Sequence, residues 1–343
     1  MFGTVPAGLA GADLRRLLAS AEEGRRQCGP ERRGTDNLGV HLGVAIGALA
    51  GVGRDKLTLL IAEPLTGLGL WLEQLVAEST GKDGRGVVPV TDEPRPAEER
   101  IGADRLFLAL GPAGGPAANR ARELAESGHA ALAVAAAGVT DLGRLFFVLE
   151  FAIAVAGWAL GVNPSTSRTS RRRRPARAHC SPTGAARRSS PRAGGRTGTT
   201  PEPRPRRRAC CSTGSERPST SRCSPTRRPR GALERAVARL RAAIAARTDA
   251  ATTFGYGPRY LHSTGQLHKG GPRTGRFLQL VRTPPEQDVA IPGAGYGFGD
   301  LLAAQADGDL AALRARGRPA VRVDLGPDPA KAVDRLAEAL EAR

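Results

Sequence analysis

The stretch Gly53–Lys82, GRDKLTLLIAEPLTGLGLWLEQLVAESTGK, decides the fold. Leu57 to Ala62 is an unbroken apolar run of the length of a buried strand. After Glu63-Pro64 the period changes. From Leu65 to Glu78, the residues Leu68, Trp71, Leu72, Leu75 and Val76 share one face at helical spacing. A buried strand feeding an amphipathic helix is the first half of a βα unit. The helix runs into a polar block, Ala77-Glu78-Ser79-Thr80-Gly81-Lys82, whose glycine can end it.

Outward from this stretch the alternation continues. Val40 to Leu49 is a small apolar helix ending at Gly51. Val87–Val90, Leu106–Leu110 and Ala130–Ala135 read as strands, and Ala117–Ser127 reads as a helix closed by Gly128. Asp141 is expected to cap a helix through Leu160 that stops before Gly161 and Pro164. After residue 230 the pattern resumes. Ala232–Ala246, Leu301–Gln305 and Pro329–Ala342 are predicted helices, and Phe277–Arg282 and Ala320–Leu325 predicted strands. Strands alternating with helices predict an α/β fold: three layers, helix on sheet on helix, with a mainly parallel sheet. The apolar run Leu145–Leu160 contains Glu150 and is too short to span a bilayer comfortably, so no membrane partner is expected.

Charge divides the chain. Of a net charge of +18, Ser165–Arg230 carries +17, from nineteen Arg against Glu202 and Glu216. The remainder is nearly neutral, as expected of an ordinary soluble enzyme. The basic segment has no Val, Ile, Leu, Met, Phe, Trp or Tyr, so it cannot offset the entropy of ordering and is expected to be disordered. It also holds four of the five cysteines, leaving only Cys28 outside. No disulfide framework follows, and a cytoplasmic location is expected. The expected organisation is a linker helix region (1–38), an α/β domain (39–164), a disordered Arg/Pro/Ser-rich segment (165–230) and a continuation of the α/β domain (231–343).

A second polar block stands far from the first: Tyr256-Gly257-Pro258-Arg259-Tyr260-Leu261-His262-Ser263-Thr264-Gly265-Gln266-Leu267-His268-Lys269-Gly270-Gly271. The two blocks supply a carboxylate, a cation, two imidazoles and hydroxyls, an inventory suited to proton transfer on a hydroxylated substrate. Taken singly, each residue is bland. A Glu at a helix end is usually a solvated charge, and Lys82 alone says nothing. His262 and His268, six apart, do not form a helical metal face, so the spacing does not point to a zinc site. His41 and His129 read as packing or surface residues. Gly111-Pro112-Ala113-Gly114-Gly115 lacks a Lys-Ser/Thr pair and reads as a turn rather than a phosphate loop.

Taken together, the blocks resemble one family. With Gly53–Leu59, Gly69–Leu75 and Ala156–Gly161, they make residues 1–164 and 231–343 similar to the C-terminal sugar-isomerase (SIS) domain of glucose-6-phosphate isomerases. The likeness is strongest to the isomerase half of bacterial transaldolase/glucose-6-phosphate isomerase fusions. The resemblance implies interconversion of glucose 6-phosphate and fructose 6-phosphate, a step of glycolysis and gluconeogenesis, through a cis-enediol. It places Glu78 as the base that moves a proton from C2 to C1, and His262 as the ring-opening residue between O5 and O1. It implies substrate contacts from Ser79, Thr80, Gly81, Lys82, Gln266 and His268, no cofactor, and a homodimer in which the histidine loop crosses to the partner.

The departures also carry expectations. The family's phosphate-gripping Ser/Thr loop and Gly-Gly-Arg segment belong to text that would precede Met1-Phe2. A truncated fragment of low activity is therefore expected, with the missing half encoded upstream. No Lys stands in Phe298–Gln305 for the one the family often places near the sugar. After Gly161-Val162-Asn163-Pro164 the resembling proteins continue with text like Phe-Asp-Gln-Pro-Asp-Val-Gln-Ala. Written in GC-rich codons and read one base later, that text gives Ser-Thr-Ser-Arg-Thr-Ser-Arg, which is Ser165–Arg171. Out-of-frame translation of 165–230 is thus the favoured account. The alternative is a non-catalytic derivative that senses sugar phosphates, or binds nucleic acid through a basic arm. Against the arm, it lacks aromatic residues for base stacking and interrupts a domain in mid-fold.

Overall fold

The structure, a computed structural model, describes residues 3–94, 100–166, 210–212, 231–257, 260, 263–282 and 288–342. Near the N-terminus lie α1 (Thr4–Leu9), α2 (Leu14–Gln27) and α3 (Leu38–Gly51). Then come β1 (Lys56–Ile61), α4 (Leu68–Thr80), β2 (Val88–Val90), β3 (Arg105–Gly111), α5 (Pro116–Glu126), β4 (Ala130–Ala135) and α6 (Leu142–Ala159). The later elements are β5 (Cys210–Ser212), α7 (Ala232–Ala245), α8 (Gly265–Gly270), β6 (Phe277–Val281), α9 (Phe298–Arg314), β7 (Ala320–Asp324) and α10 (Pro329–Glu341).

Among the described residues the strands form two all-parallel sheets. The first has the order β2-β1-β3-β4, with Lys56 opposite Val88 on one side and Arg105 on the other. Because side chains alternate along a strand, β1 and β3 serve two faces. Leu57, Leu59, Leu106, Leu108 and Leu110 enter one core with residues of α3, α4 and α6. Leu60, Phe107 and Ala109 face the other way, against Ala117, Ala121 and Leu124 of α5. Each fully buried leucine contributes about 2 kcal/mol relative to exposure. The arrangement is an α/β fold with helices on both faces of a parallel sheet.

On the more heavily covered face, α3 and α6 approach very closely. A methyl group on Gly47 would stand 2.6 Å from the Ala159 Cβ. The α3 sequence is apolar nearly all round, as suits a helix enclosed on several sides. The segment Val139–Ala159 is long and apolar enough to cross a membrane by length and composition. Here it is a core element, with Leu145, Val148, Leu149, Ala152, Ile153 and Ala156 all buried.

The second sheet, β5-β6-β7, packs Leu280 and Leu325 against Leu233, Val237 and Leu240 of α7 and Val333 and Ala337 of α10. The helix α7 also reaches the first sheet. Arg241, 5% exposed, donates to the Thr91, Asp92 and Thr252 carbonyls at 3.0, 2.9 and 2.7 Å. Beside it Glu93 takes two bonds from Arg105, at 2.7 and 3.1 Å, and one from the Thr252 amide at 2.6 Å. Charge-assisted bonds of this kind fix geometry where apolar contact would allow sliding.

The α/β fold with a mainly parallel sheet is as expected, with the described strands divided between two sheets. Several finer expectations are corrected. Asp141 does not cap α6 with its side chain. Its carboxylate turns back to the Ala137 amide at 2.8 Å and to Arg144 at 3.3 Å. The predicted helix Leu301–Gln305 extends over Phe298–Arg314, through Gly308, because Leu310 and Leu313 are buried by tertiary packing that local propensity does not register. In the basic segment, Cys210–Ser212 pairs with Phe277–Gln279. Strand pairing uses backbone groups, which a run without large side chains still possesses. The rest of the disorder expectation, residues 167–209 and 213–230, lies outside the described residues.

Candidate active site

The two polar blocks meet in space. α4 runs antiparallel to β1, so its C-terminal end lies at the amino edge of the first sheet, near Lys56 and Val88. There it meets α8. The Gly84 amide donates to the Gly270 carbonyl at 2.8 Å. Gly81 lies against Leu267 so closely that a Cβ there would stand 2.8 Å from the Leu267 Cβ and 2.6 Å from the Ala77 carbonyl oxygen. Gly81 is therefore required by contact: its φ of −73° is open to any residue.

Glu78 is exposed on the last turn of α4, and Ser79 is half-buried beside it. Thr80 is fully buried. Its hydroxyl donates to the Val76 carbonyl at 2.8 Å and accepts from the Val87 amide at 2.9 Å. Lys82 is 7% exposed, and its ammonium donates to the Asn163 and Pro164 carbonyls at 2.7 and 2.6 Å. Burial pushes the Lys82 pKa down, and the Glu78 and Asp83 carboxylates pull it back up. These two side chains hold the end of α4 to the start of β2 and to the chain beyond α6, so their polar atoms are committed to protein groups. Nearby, Arg85 donates to the Leu160 carbonyl at 2.6 Å.

On the α8 side, Gln266 is half-buried. His268 packs its ring against Tyr260, with centroids 5.5 Å apart, and edge-on to Phe277 at 5.0 Å. Its pKa is pushed down to about 3, first by burial and then by the Lys269 and Arg318 charges. The imidazole is neutral at neutral pH. Part of its surface opens onto two clefts of about 40 and 20 Å³, which share Val88, Thr253, Leu267 and His268. Each holds roughly a water or two, not a sugar. His262 lies outside the described residues.

A larger cleft, of about 670 Å³, lies on the α5 face of the first sheet. Thr58, Leu60, Thr91, Glu93, Arg120 and Arg239 are among its lining residues. It is separate in the fold from the α4–α8 junction. Among the described residues, no group of three or more His, Cys, Asp or Glu side chains is placed to hold a metal ion.

Arg318 escaped the sequence reading. It is 5% exposed and donates to the Gly271 and Pro272 carbonyls, each at 2.6 Å, pinning the exit of α8. Its partners lie more than forty residues away, and no local pattern announces them.

No protein-family model matches the chain. One curated relative, glucose-6-phosphate isomerase of Rubrobacter xylanophilus, is 36% identical over 90 residues, 25% of this chain and 20% of the relative. The chain thus spans about one fifth of the length of the curated relative it matches. That stretch establishes a partial, sugar-isomerase-like relationship. Among solved structures, a hypothetical protein of Thermus thermophilus aligns over 98% of this chain and 90% of its own, at 14% identity and a TM-score of 0.30. A proposed sugar-binding protein of Salmonella typhimurium aligns over 95% of this chain and 97% of its own, at 12% identity and a TM-score of 0.27. At these scores neither bears on function.

Proposed function

We propose that the chain carries the base-bearing site of an aldose–ketose isomerase acting on a hexose phosphate, glucose 6-phosphate to fructose 6-phosphate. One observation carries this reading. Two polar blocks separated by about 180 residues, each plain alone, share one junction between α4 and α8. A 90-residue likeness to an enzyme of that activity supports it.

In this reading Glu78 takes the proton from C2 of the open-chain aldose and returns it to C1. The intermediate is the cis-enediol. One carboxylate can serve both carbons because they are adjacent, and its placement in reach of the substrate sets its efficiency. His262 moves the proton between O5 and O1 as the ring opens. Ser79, the Gly81 backbone, Gln266 and the neutral His268 are the groups offered to sugar hydroxyls. Thr80 and Lys82 act behind them, keeping the end of α4 in place. A homodimer in which the loop bearing His262 reaches the partner's Glu78 belongs to the same proposal.

The test is exchange of the C2 hydrogen of glucose 6-phosphate with solvent deuterium, followed by proton NMR. Glu78→Gln keeps shape and much of the hydrogen bonding but cannot accept the proton. It is expected to slow exchange about a hundredfold or more. Equal rates for the wild type and Glu78→Gln would refute the assignment.

A further inference from the structure

We propose that the cleft on the α5 face of the first sheet, between α5 and α7, binds a small organic anion with an apolar, ring-sized body. Its volume of about 670 Å³ falls within the range of roughly 300–1,000 Å³ of small-molecule sites. Thr58 and Leu60 of β1 and Phe107 of β3 form the floor. Ile101 and Leu124 of α5 close one side, and Ala238 and Ala242 of α7 the other. The packing explains the gap. β1 is an inner strand, between β2 and β3, and inner strands of parallel sheets are normally covered on both faces. On this face α5 lies chiefly over β3 and β4. α7 spends its larger side chains, Leu233, Val237 and Leu240, on the core it shares with Leu280, Leu325 and α10. Toward β1 it turns two alanines one helical turn apart. Leu60 is left half-buried in the middle of the sheet.

Topology puts a ligand in the same place. The strand order β2-β1-β3-β4 reverses at β1, with α4 on one face of the sheet and α5 on the other. The cleft reaches Ile61 at the carboxyl end of β1, and Thr91 and Asp92 just past the end of β2. Open α/β sheets bind ligands at such a reversal, beyond the carboxyl ends of the strands. Charge selects the ligand. The charged residues of the lining are Asp92, Glu93, Arg120 and Arg239. The Glu93 carboxylate is taken up by Arg105 and by the amide and hydroxyl of Thr252. Arg120 and Arg239 pair with Glu123 and Glu341, at 3.0 and 2.6 Å, in solvent-exposed positions. Exposed pairs are weak and exchange readily for another anion, and a guanidinium matches a carboxylate in shape. On the floor, the Thr58 hydroxyl accepts from Arg105 at 2.9 Å and can donate its own proton to a ligand oxygen. An apolar body would displace water from Leu60 and Phe107, which water cannot hydrogen-bond. The cleft lies apart from the α4–α8 junction, and the proposal stands whatever the role of Glu78.

The test uses the full chain and reads the ¹H–¹³C methyl signals of Leu60, identified by their loss in Leu60→Ile. 4-Phenylbutyrate, its neutral counterpart 4-phenylbutanol and acetate are titrated separately. Phenylbutyrate is expected to shift the signals saturably. Phenylbutanol should bind about three- to tenfold more weakly, the range open to exposed charge pairs, and acetate should leave the signals unmoved. Arg120→Gln/Arg239→Gln should bring phenylbutyrate down to the level of phenylbutanol and leave phenylbutanol unchanged. Ala238→Phe and Ala242→Phe would fill the cleft from positions off the packed side of α7. Each should keep the urea midpoint of the wild type and weaken phenylbutyrate about tenfold or more. The arginine variant, at surface positions, carries the test independently of the two filling variants. A signal that phenylbutyrate does not saturate, equal affinities for the acid and the alcohol, or unchanged binding in both filling variants would overturn the proposal.

Discussion

Gly81→Ala is expected to destabilise the chain by about 2–4 kcal/mol, an overpacking effect at the upper end of its range. The added Cβ would stand 2.6 Å from the Ala77 carbonyl and 2.8 Å from the Leu267 Cβ, with the Leu267 backbone closer still. Backbone on both sides cannot rotate away as a flexible side chain would. Either α8 lifts off α4 or the last turn of α4 unwinds. Gly84→Ala is the control. Gly84 has a φ of +77° and nothing within 4 Å of the position its Cβ would occupy. Only conformational strain opposes that substitution, roughly 1 kcal/mol. Urea denaturation of the two variants should therefore separate them clearly. The proposed isomerisation should be lost in Gly81→Ala with Glu78 intact, because α8 would no longer seat against the end of α4 that carries Glu78. Equal stabilities for the two variants would mean that α8 does not seat on Gly81.

The local elements were legible because apolar spacing is a local property. The apolar run Leu57–Ala62 predicts a strand, found at Lys56–Ile61, and the spacing over Leu65–Glu78 predicts a helix, found at Leu68–Thr80. The turn that ends α5 was legible from Gly128, whose φ is +84°. Pairing was not legible. Nothing in Phe277–Val281 says that it joins Ala320–Asp324 rather than the sheet of Leu106, since both are short apolar runs. The site divided along the same line. Resemblance brought Glu78 and His268 forward as neighbours. It offered Thr80 and Lys82 as sugar contacts, whereas their polar atoms are spent on Val76, Val87, Asn163 and Pro164. Those partners are partly long-range, 81 and 82 residues away for Lys82, and sequence spacing cannot show them. The junction also lies at the amino edge of its strands. Ligands of open α/β sheets more often sit at the carboxyl edge, so topology alone would have pointed elsewhere.

Acidification should unfold the chain earlier than its carboxylates require, and His268 is the reason. Its pKa in the fold is about 3, against an ordinary value of 6.5. The fold therefore favours the neutral ring. Above 6.5 both folded and unfolded chains hold it neutral, and its contribution to stability is fully present. As pH falls from 6.5 toward 3, the unfolded chain takes up the proton first, and stability is lost throughout that window. By about pH 4.5 the loss should be on the order of 2–3 kcal/mol, about 1.4 kcal/mol for each unit below the ordinary value. Most carboxylates remain charged between about pH 6.5 and 5, so the slope in that interval isolates the histidine. Urea midpoints measured across it should fall in the wild type and stay nearly flat in His268→Phe, which keeps a ring against Tyr260 and Phe277. Parallel slopes in the two proteins would show that the imidazole is solvated rather than enclosed. The same shift limits the chemistry at the junction. A ring this reluctant to hold a second proton cannot act as an acid near neutral pH. In the proposed reaction His268 would orient a hydroxyl as a neutral donor or acceptor, and proton transfer at the sugar carbons would fall to the carboxylate of Glu78.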